Sequence, residues 1–441
     1  MKKIYDILIT HADYLAPDMT VRKDQTIAIR DGVIAGFEGL PGEAETVLPG
    51  AHLLVMPGLT DGHIHTSQQL LKGRLLDTKP VIWKRVNVPF ESRLTVETSA
   101  LSASLAAMEM IRCGTTSFVD AGGKYPEVFA DVYEKAGMRG RLSVMTNDNP
   151  NAPETLRAPS PKEGVEALRR MKKYLEGLSG RLKPIYSVTT PTAVSEDMLR
   201  SAAEAAKEDN VPFETHLNEY ASEVTEFIER YGERPFVWLE QEGLIPKQML
   251  AAHSIFLSPS EMEILSRHGI RVVHCPFSNS GKGVPKTPQM LSMGISCCFG
   301  SDGAGHGGLD LFREIRLFRC LINVTRGIES ADSSVMPAET LLRMATRGGA
   351  ASLFEDDPIG VIEKGAKADL IALRTDSAAL WPTQNLVHTI TESACGADVA
   401  HTIIDGRLVM KDRELLTLDE DRIRYEAEKA FKKEPFLINW K

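Results

Sequence analysis

Residues able to bind a metal or carry a proton recur at one kind of place along the 441-residue sequence, the last positions of short apolar runs. His63 and His65 close the run that follows Val55-Met56-Pro57-Gly58-Leu59, His216 closes VPFETH, His253 closes MLAAH and Asp302 closes ISCCFGSD. Residues i and i+2 of a strand point to the same face, so the imidazoles of His63 and His65 can reach one ion. Taken singly, each histidine also fits a packing or surface role. Five such residues together at strand ends are not what packing alone produces. His63, His65, His216 and Asp302 supply three imidazoles and one carboxylate, a donor set for Zn²⁺ or Fe²⁺ with one position open to water. Glu219 lies three residues after His216, in the loop beyond the strand. A carboxylate there can take a proton from coordinated water and pass it to a leaving nitrogen. The plainer alternative is an acidic helix-start residue.

The elements that must carry these side chains can be read from the apolar pattern. Strand-like runs at 116–120, 141–145, 184–188, 211–216, 249–253, 270–275 and 295–302 alternate with helical patterns at 97–112, 161–176, 195–208, 221–231, 258–267 and 310–321. With the run ending at His65, eight strand–helix units span about 300 residues, the size of a (β/α)8 barrel. A doubly wound parallel sheet is the alternative. Barrel sites form at the C-terminal ends of strands, where these residues fall. Both chain ends carry β-hairpin signals instead: Asp31-Gly32 between β-branched runs, and Asp405-Gly406 before Leu408-Val409-Met410. The expected fold class is α/β, a (β/α)8 TIM-type barrel over 58–358. A small composite β-sandwich domain is expected from 1–57 and 359–441.

Lys and Arg total 51 and Asp and Glu total 60, a net charge of −9. That balance gives no overall electrostatic footprint for nucleic acid or an anionic membrane. Asp6, His11 and Asp13 interrupt any signal-peptide core, and no apolar run reaches the roughly 18 residues of a membrane span. The 6 cysteines form no CxxC pair, which points to reduced thiols and a cytoplasmic setting. Cys275 is read as packing, because free cysteine is usually buried.

The stretches MPGLTDGHIHT, HLNEYASEV, HCPFSNSGKG, FGSDGAG and GVIEKGAKADLIAL together resemble the amidohydrolase superfamily over nearly the whole chain. The resemblance implies a metal-dependent hydrolase. It assigns His63, His65, His216 and Asp302 as ligands, Glu219 as proton shuttle and His253 as the histidine that holds the attacking water. Some branches bridge two metals with a carboxylated lysine at the end of the fourth strand. Lys183 stands at the other end of that strand, so one metal ion per chain is expected, Zn²⁺ before Fe²⁺.

WKRVNVPFESRLT, followed by ALSASLAAMEMIRCGTTSFVD, resembles the branch of adenosine-type deaminases (S-adenosylhomocysteine and methylthioadenosine) and triazine chlorohydrolases. Glu91 matches a ribose-binding glutamate there; a carboxylate suits two vicinal hydroxyls, with helix capping as the alternative. Two pocket segments depart from the branch. Thr189-Thr190-Pro191-Thr192 replaces a His-containing segment, and Gly305-His306-Gly307-Gly308 replaces an Asn-rich one. His306 is read as either a substrate contact or a loop residue. The expected function is hydrolytic deamination of an N-heterocycle such as a purine nucleoside, purine or pterin. The alternatives are removal of chloride or an alkylamine from a triazine-like ring, or cleavage of an amide or amidine. The expected partner is a small-molecule substrate, with a homodimer by analogy to similar proteins.

Overall fold

The computed structural model of this protein describes residues 4–37 and 43–434. In the middle of the chain the apolar runs form parallel strands, most of them followed by helices. Strands Leu59–His65, Thr115–Asp120 and Met249–His253 are buried at every position. That is why they read as continuous apolar runs rather than alternating ones. One parallel sheet joins Leu182–Pro184, Arg139–Leu142, Thr115–Asp120, Leu59–His65 and Asp302–Gly303 in that order. The other joins Cys297–Phe299, Arg271–His274, Met249–His253, Phe213–Leu217, Tyr186–Val188 and Met145–Thr146. This is an α/β fold of the TIM-barrel type.

Three runs read as single strands are divided, and each contributes one half to either sheet. The breaks fall at Ser143–Val144, Ile185 and Gly300–Ser301. Each has a local cause. Pro184 has no N–H to offer a ladder. At Ser143 the Ser187 hydroxyl takes over, donating to Ala121 O at 2.9 Å and to Ser143 Oγ at 2.8 Å. At Gly300 the backbone passes so close to Leu59–His65 that an added Cβ would lie 2.9 Å from the His63 carbonyl. Asp61 then bridges the break, accepting from Ser301 N at 2.9 Å and Ser301 Oγ at 2.5 Å.

The helices fall within a residue or two of their expected spans: Val96–Arg112, Pro161–Glu176, Glu196–Glu208, Ala221–Tyr231, Pro259–His268 and Leu311–Ile322. Their starts carry caps. Ser195 Oγ accepts from Met198 N, and Ser258 and Glu261 form a reciprocal capping box ahead of Pro259. Glu420–Lys433 is a further helix whose charged sequence hides its apolar side; Ile423 is its one buried residue.

The two chain ends pair in one nine-stranded sheet, joined where Leu53–Pro57 runs antiparallel to Leu370–Arg374. Both expected hairpins are present. Asp31 and Gly32 have φ of 51° and 77°, and Asp405 and Gly406 have 52° and 73°, the paired positive φ of tight hairpin turns. Arg139, at the start of a parallel strand, donates to Asp369 Oδ2 at 2.5 Å and Asp405 Oδ1 at 2.8 Å, tying this sheet to the parallel ones. Among the described residues no helix is long and apolar enough to cross a membrane.

Candidate functional site

The four expected ligands converge where the C-terminal ends of their strands meet. His65 Nε2 stands 3.1 Å from His216 Nε2, and Asp302 Oδ1 lies 3.4 Å from His65 Nε2 and 3.8 Å from His63 Nε2. The His63 ring centroid is 4.9 Å from that of His65 and 4.8 Å from that of His216. Donor atoms of His63, His65 and Asp302 lie within 4.8 Å of one another, as do those of His63, His216 and His253.

Neighbours fix which nitrogen of each ring points inward. His63 Nδ1 donates to Glu214 Oε1 at 2.5 Å, and His216 Nδ1 donates to the Thr189 carbonyl at 2.5 Å. His253 Nδ1 donates to Asn279 Oδ1 at 2.9 Å. Each bond leaves the opposite Nε2 with a lone pair aimed into the cluster. Among the described residues, the Nε2 atoms of His63 and His253 are buried with no hydrogen-bond partner. Buried polar atoms without partners are costly. A divalent cation would give both of these nitrogens a partner, so the donor set fits a metal ion.

The backbone is left-handed at several of these strand ends. Asn218, His253, Ser254 and Asp302 have φ of 55°, 69°, 46° and 60°. Each such residue stores roughly 1–3 kcal/mol of strain, held by its surroundings. Behind His253, His274 Nδ1 donates to the His253 carbonyl at 3.0 Å, and its Nε2 pairs with Thr287 Oγ1 at 2.9 Å. His274 therefore supports the site without entering it.

Cys275, expected as packing, is fully buried, and its sulfur groups with donor atoms of His253 and Asp302. Burial, with the charges of Asp302 and Asp61, pushes the thiol well above its ordinary range, so it is a neutral neighbour of the cluster. Asp302 is under the opposite balance. Burial works against its charge, but His306 and Lys282 hold it ionised, well below the usual carboxylate range.

Glu219 is 7% exposed, and its Oε1 is 3.8 Å from His253 Nε2. The sequence reading did not single out its main partner, Lys282, whose Nζ donates to Glu219 Oε1 at 2.5 Å. Burial raises the Glu219 pKa; Lys282 outweighs it and brings the carboxyl down to about 2. Burial pushes the His253 imidazole down to about 3, so it is neutral at physiological pH.

A cavity opens onto the cluster, lined by His65, His216, His253 and Asp302 among others. Glu91 lines it, 1% exposed, with Oε1 accepting from Ser67 Oγ and Gln68 Nε2, both at 2.8 Å. Burial raises the Glu91 carboxyl to about 7. His306 lines the cavity too, and its charge favours the ionised form of Asp302. Thr189 and Thr190 form part of the wall where the sequence departed from the family pattern, and Trp83 and Val88 give an apolar side. Beside this cavity a Cβ at Gly303 would meet Gln68 Oε1 at 1.7 Å, so a larger residue there would displace the Gln68 amide that donates to Glu91. Glu214, Asn279 and Lys282 are the functional candidates that sequence reasoning missed. Glu214 sat unremarked inside VPFETH, two positions before His216 and so on the same strand face, which was the available signal.

Comparison with known proteins agrees with this geometry. The model of the amidohydrolase family matches residues 54–409. A 5-methylthioadenosine/S-adenosylhomocysteine deaminase of Halobacterium salinarum is 35% identical over 420 residues, covering 94% of each chain. The crystal structure of an adenosine deaminase from Xanthomonas campestris with bound zinc superposes with a TM-score of 0.89, at 25% identity, over 98% of this chain and 99% of that one. The zinc complex of atrazine chlorohydrolase from Arthrobacter aurescens shares the fold, with a TM-score of 0.85 at 18% identity over 96% of this chain and 99% of that one. With three inward-facing imidazoles, a carboxylate and a family model spanning most of its length, this chain belongs to the amidohydrolase family.

Proposed function

We propose that this chain is a metal-dependent aminohydrolase that removes the amine of a purine nucleoside by hydrolysis of a C–N bond. The carrying observation is the convergence of His63 and His216, each anchored through Nδ1 so that Nε2 points inward, with His65 and Asp302. These four residues would hold one Zn²⁺ ion. Pairing of Lys183 with Glu355 supports a single ion, since it leaves no lysine of that strand for a bridge. The zinc in the adenosine deaminase structure supports that metal over Fe²⁺.

The ion supplies a Lewis acid that makes a water acidic enough to ionise near neutral pH. His253, neutral and fixed by Asn279, orients that water through Nε2. Glu219 takes the water's proton as oxygen attacks the amidine carbon, and delivers it to the ring nitrogen beside that carbon. Asp302 takes the second proton, which passes to the amine so that it leaves as ammonia and a carbonyl remains. Glu91 accepts from the two vicinal ribose hydroxyls at the other part of the cavity, and His306 contacts substrate near Asp302. Glu219 favours deamination over loss of chloride, because ammonia must be protonated to leave and chloride need not be.

The catalytic unit is taken as residues 58–358 closing into a (β/α)8 barrel. The three divided strands, each with one half in either parallel sheet, support closure. The remaining segments, 1–57 and 359–441, are read as a companion domain folded as a sandwich around Ile27, Ile29, Val55, Leu370 and Ile403, which share one apolar cluster. An ammonia-release screen of purine nucleosides, free purines, pterins and triazines with zinc-loaded enzyme tests the function. Release from nucleosides is expected, and release from pterins or triazines alone would refute the nucleoside assignment.

A further inference from the structure

Lys282 places an ammonium beside a centre built to hold a cation. Its side chain is 6% exposed, and it donates to Glu219 Oε1 at 2.5 Å and to Ser278 Oγ at 2.8 Å. Its Nζ lies 5.2 Å from the centroid of the Tyr220 ring. An ammonium has three donors. Two are engaged, which leaves the third for the cavity that Lys282 lines. Burial works against the charge, but Glu219 and Asp302 keep the amine protonated.

Among the described residues, Glu219 is the one carboxylate within ion-pair distance of Lys282. When Glu219 carries a proton during the reaction, the ammonium loses that partner. A buried cation next to a metal ion then keeps only the more distant Asp302 charge, and a buried charge that loses its direct partner is costly. An acceptor on the substrate removes the conflict.

Glu219 has to reach the ring nitrogen beside the reacting carbon, one hydrogen bond of about 2.8 Å away. Lys282 Nζ is 2.5 Å from the same carboxylate. A donor that lines the cavity beside that carboxylate can reach the next position along that ring edge, which in plain adenine is a C–H. Resting on the deaminase reading above, we propose that Lys282 is a specificity-determining residue. It donates to an oxo oxygen on the ring carbon beyond the protonated nitrogen, so that the preferred substrates are aminated N-heterocycles carrying that oxo group.

The test compares ammonia release from 5′-methylthioadenosine and its 2-oxo counterpart, using zinc-loaded wild type, Lys282→Met and Lys282→Gln. Wild-type kcat/KM is expected to favour the 2-oxo nucleoside by about 10- to 100-fold, the range of one hydrogen bond from a charged donor. That ratio should fall to about one in Lys282→Met and to an intermediate value in Lys282→Gln. A wild-type ratio of one or less, or a ratio unchanged in both variants, overturns the assignment. If Lys282→Met does not fold, the ratio in Lys282→Gln decides. Ammonia from neither nucleoside is instead the failure of the purine-nucleoside reading. The lysine is then judged by titration calorimetry with melamine and its mono-oxo analogue ammeline. Tighter wild-type binding of ammeline, lost in the variants, supports the role, and equal binding overturns it.

Discussion

Glu219 is asked to move a proton, yet Lys282 holds it ionised with a pKa of about 2. An ionised carboxylate is the form that accepts the first proton, and the salt bridge keeps that form populated across the physiological range. Glu219→Gln preserves size and removes the basic oxygen. Turnover should fall by about 10²–10⁴-fold, the usual worth of a general acid–base, while bound zinc measured by atomic absorption stays at the wild-type level. His216→Ala should have the opposite signature, with bound zinc lowered along with activity. Glu91 makes a pH prediction. Burial, helped by repulsion from Asp120 and Asp302, raises its carboxyl to about 7 against the opposing bonds from Gln68 and Ser67. It takes up a proton as pH falls through that value and loses the charge that attracts two hydroxyls. KM for a ribonucleoside should therefore rise as pH drops from about 8 to about 6. In Glu91→Gln, KM should be high throughout and lack that dependence. A flat KM profile for the wild type would count against the ribose role.

At the scale of elements, strand ends deliver the ligands and the adjacent strands orient them. Glu214 sits on strand Phe213–Leu217 two residues before His216 and holds His63, a residue of a different strand, at 2.5 Å. Glu214→Ala should weaken zinc binding by about 10- to 100-fold in a chelator competition, the usual cost of losing such a partner. The ligands themselves were legible in the sequence because period-2 geometry and the end of an apolar run locate them without knowledge of the fold. Lys282 was not, because its tie to Glu219 spans 63 positions and exists only once the loop after Arg271–His274 folds over the cavity. The breaks at Ile185 and Gly300 were also hidden. An apolar run carries no mark of which neighbour its N–H groups will find, although Pro184 offered a hint. Thr189 read as a lost base contact, whereas its carbonyl anchors His216 at 2.5 Å, a backbone role that no side-chain pattern encodes.

At the scale of the whole molecule, the sheet made from both chain ends is fastened to the parallel sheets by a buried ion pair. Arg139 is 7% and Asp369 1% exposed at the side chain. Removing Asp369 leaves the buried Arg139 with only the part-exposed Asp405, so Asp369→Ala should lower stability by about 1.5–3 kcal/mol in urea unfolding. A loss below about 1 kcal/mol would show that the contact does not fasten the sheets. That fastening matters to function because the strand beginning at Arg139 belongs to the framework that carries Glu91's cavity and the ligand strands. The central claim is that this framework brings a metal ion, Glu219 and a purine nucleoside together for hydrolytic deamination. The most direct measurement is ammonia release from purine nucleosides by zinc-loaded wild type and by Glu219→Gln. The expected result is one ammonia per nucleoside consumed by the wild type and almost none from the variant at equal zinc content. Ammonia released at the same rate by both proteins, or by neither, would contradict the account.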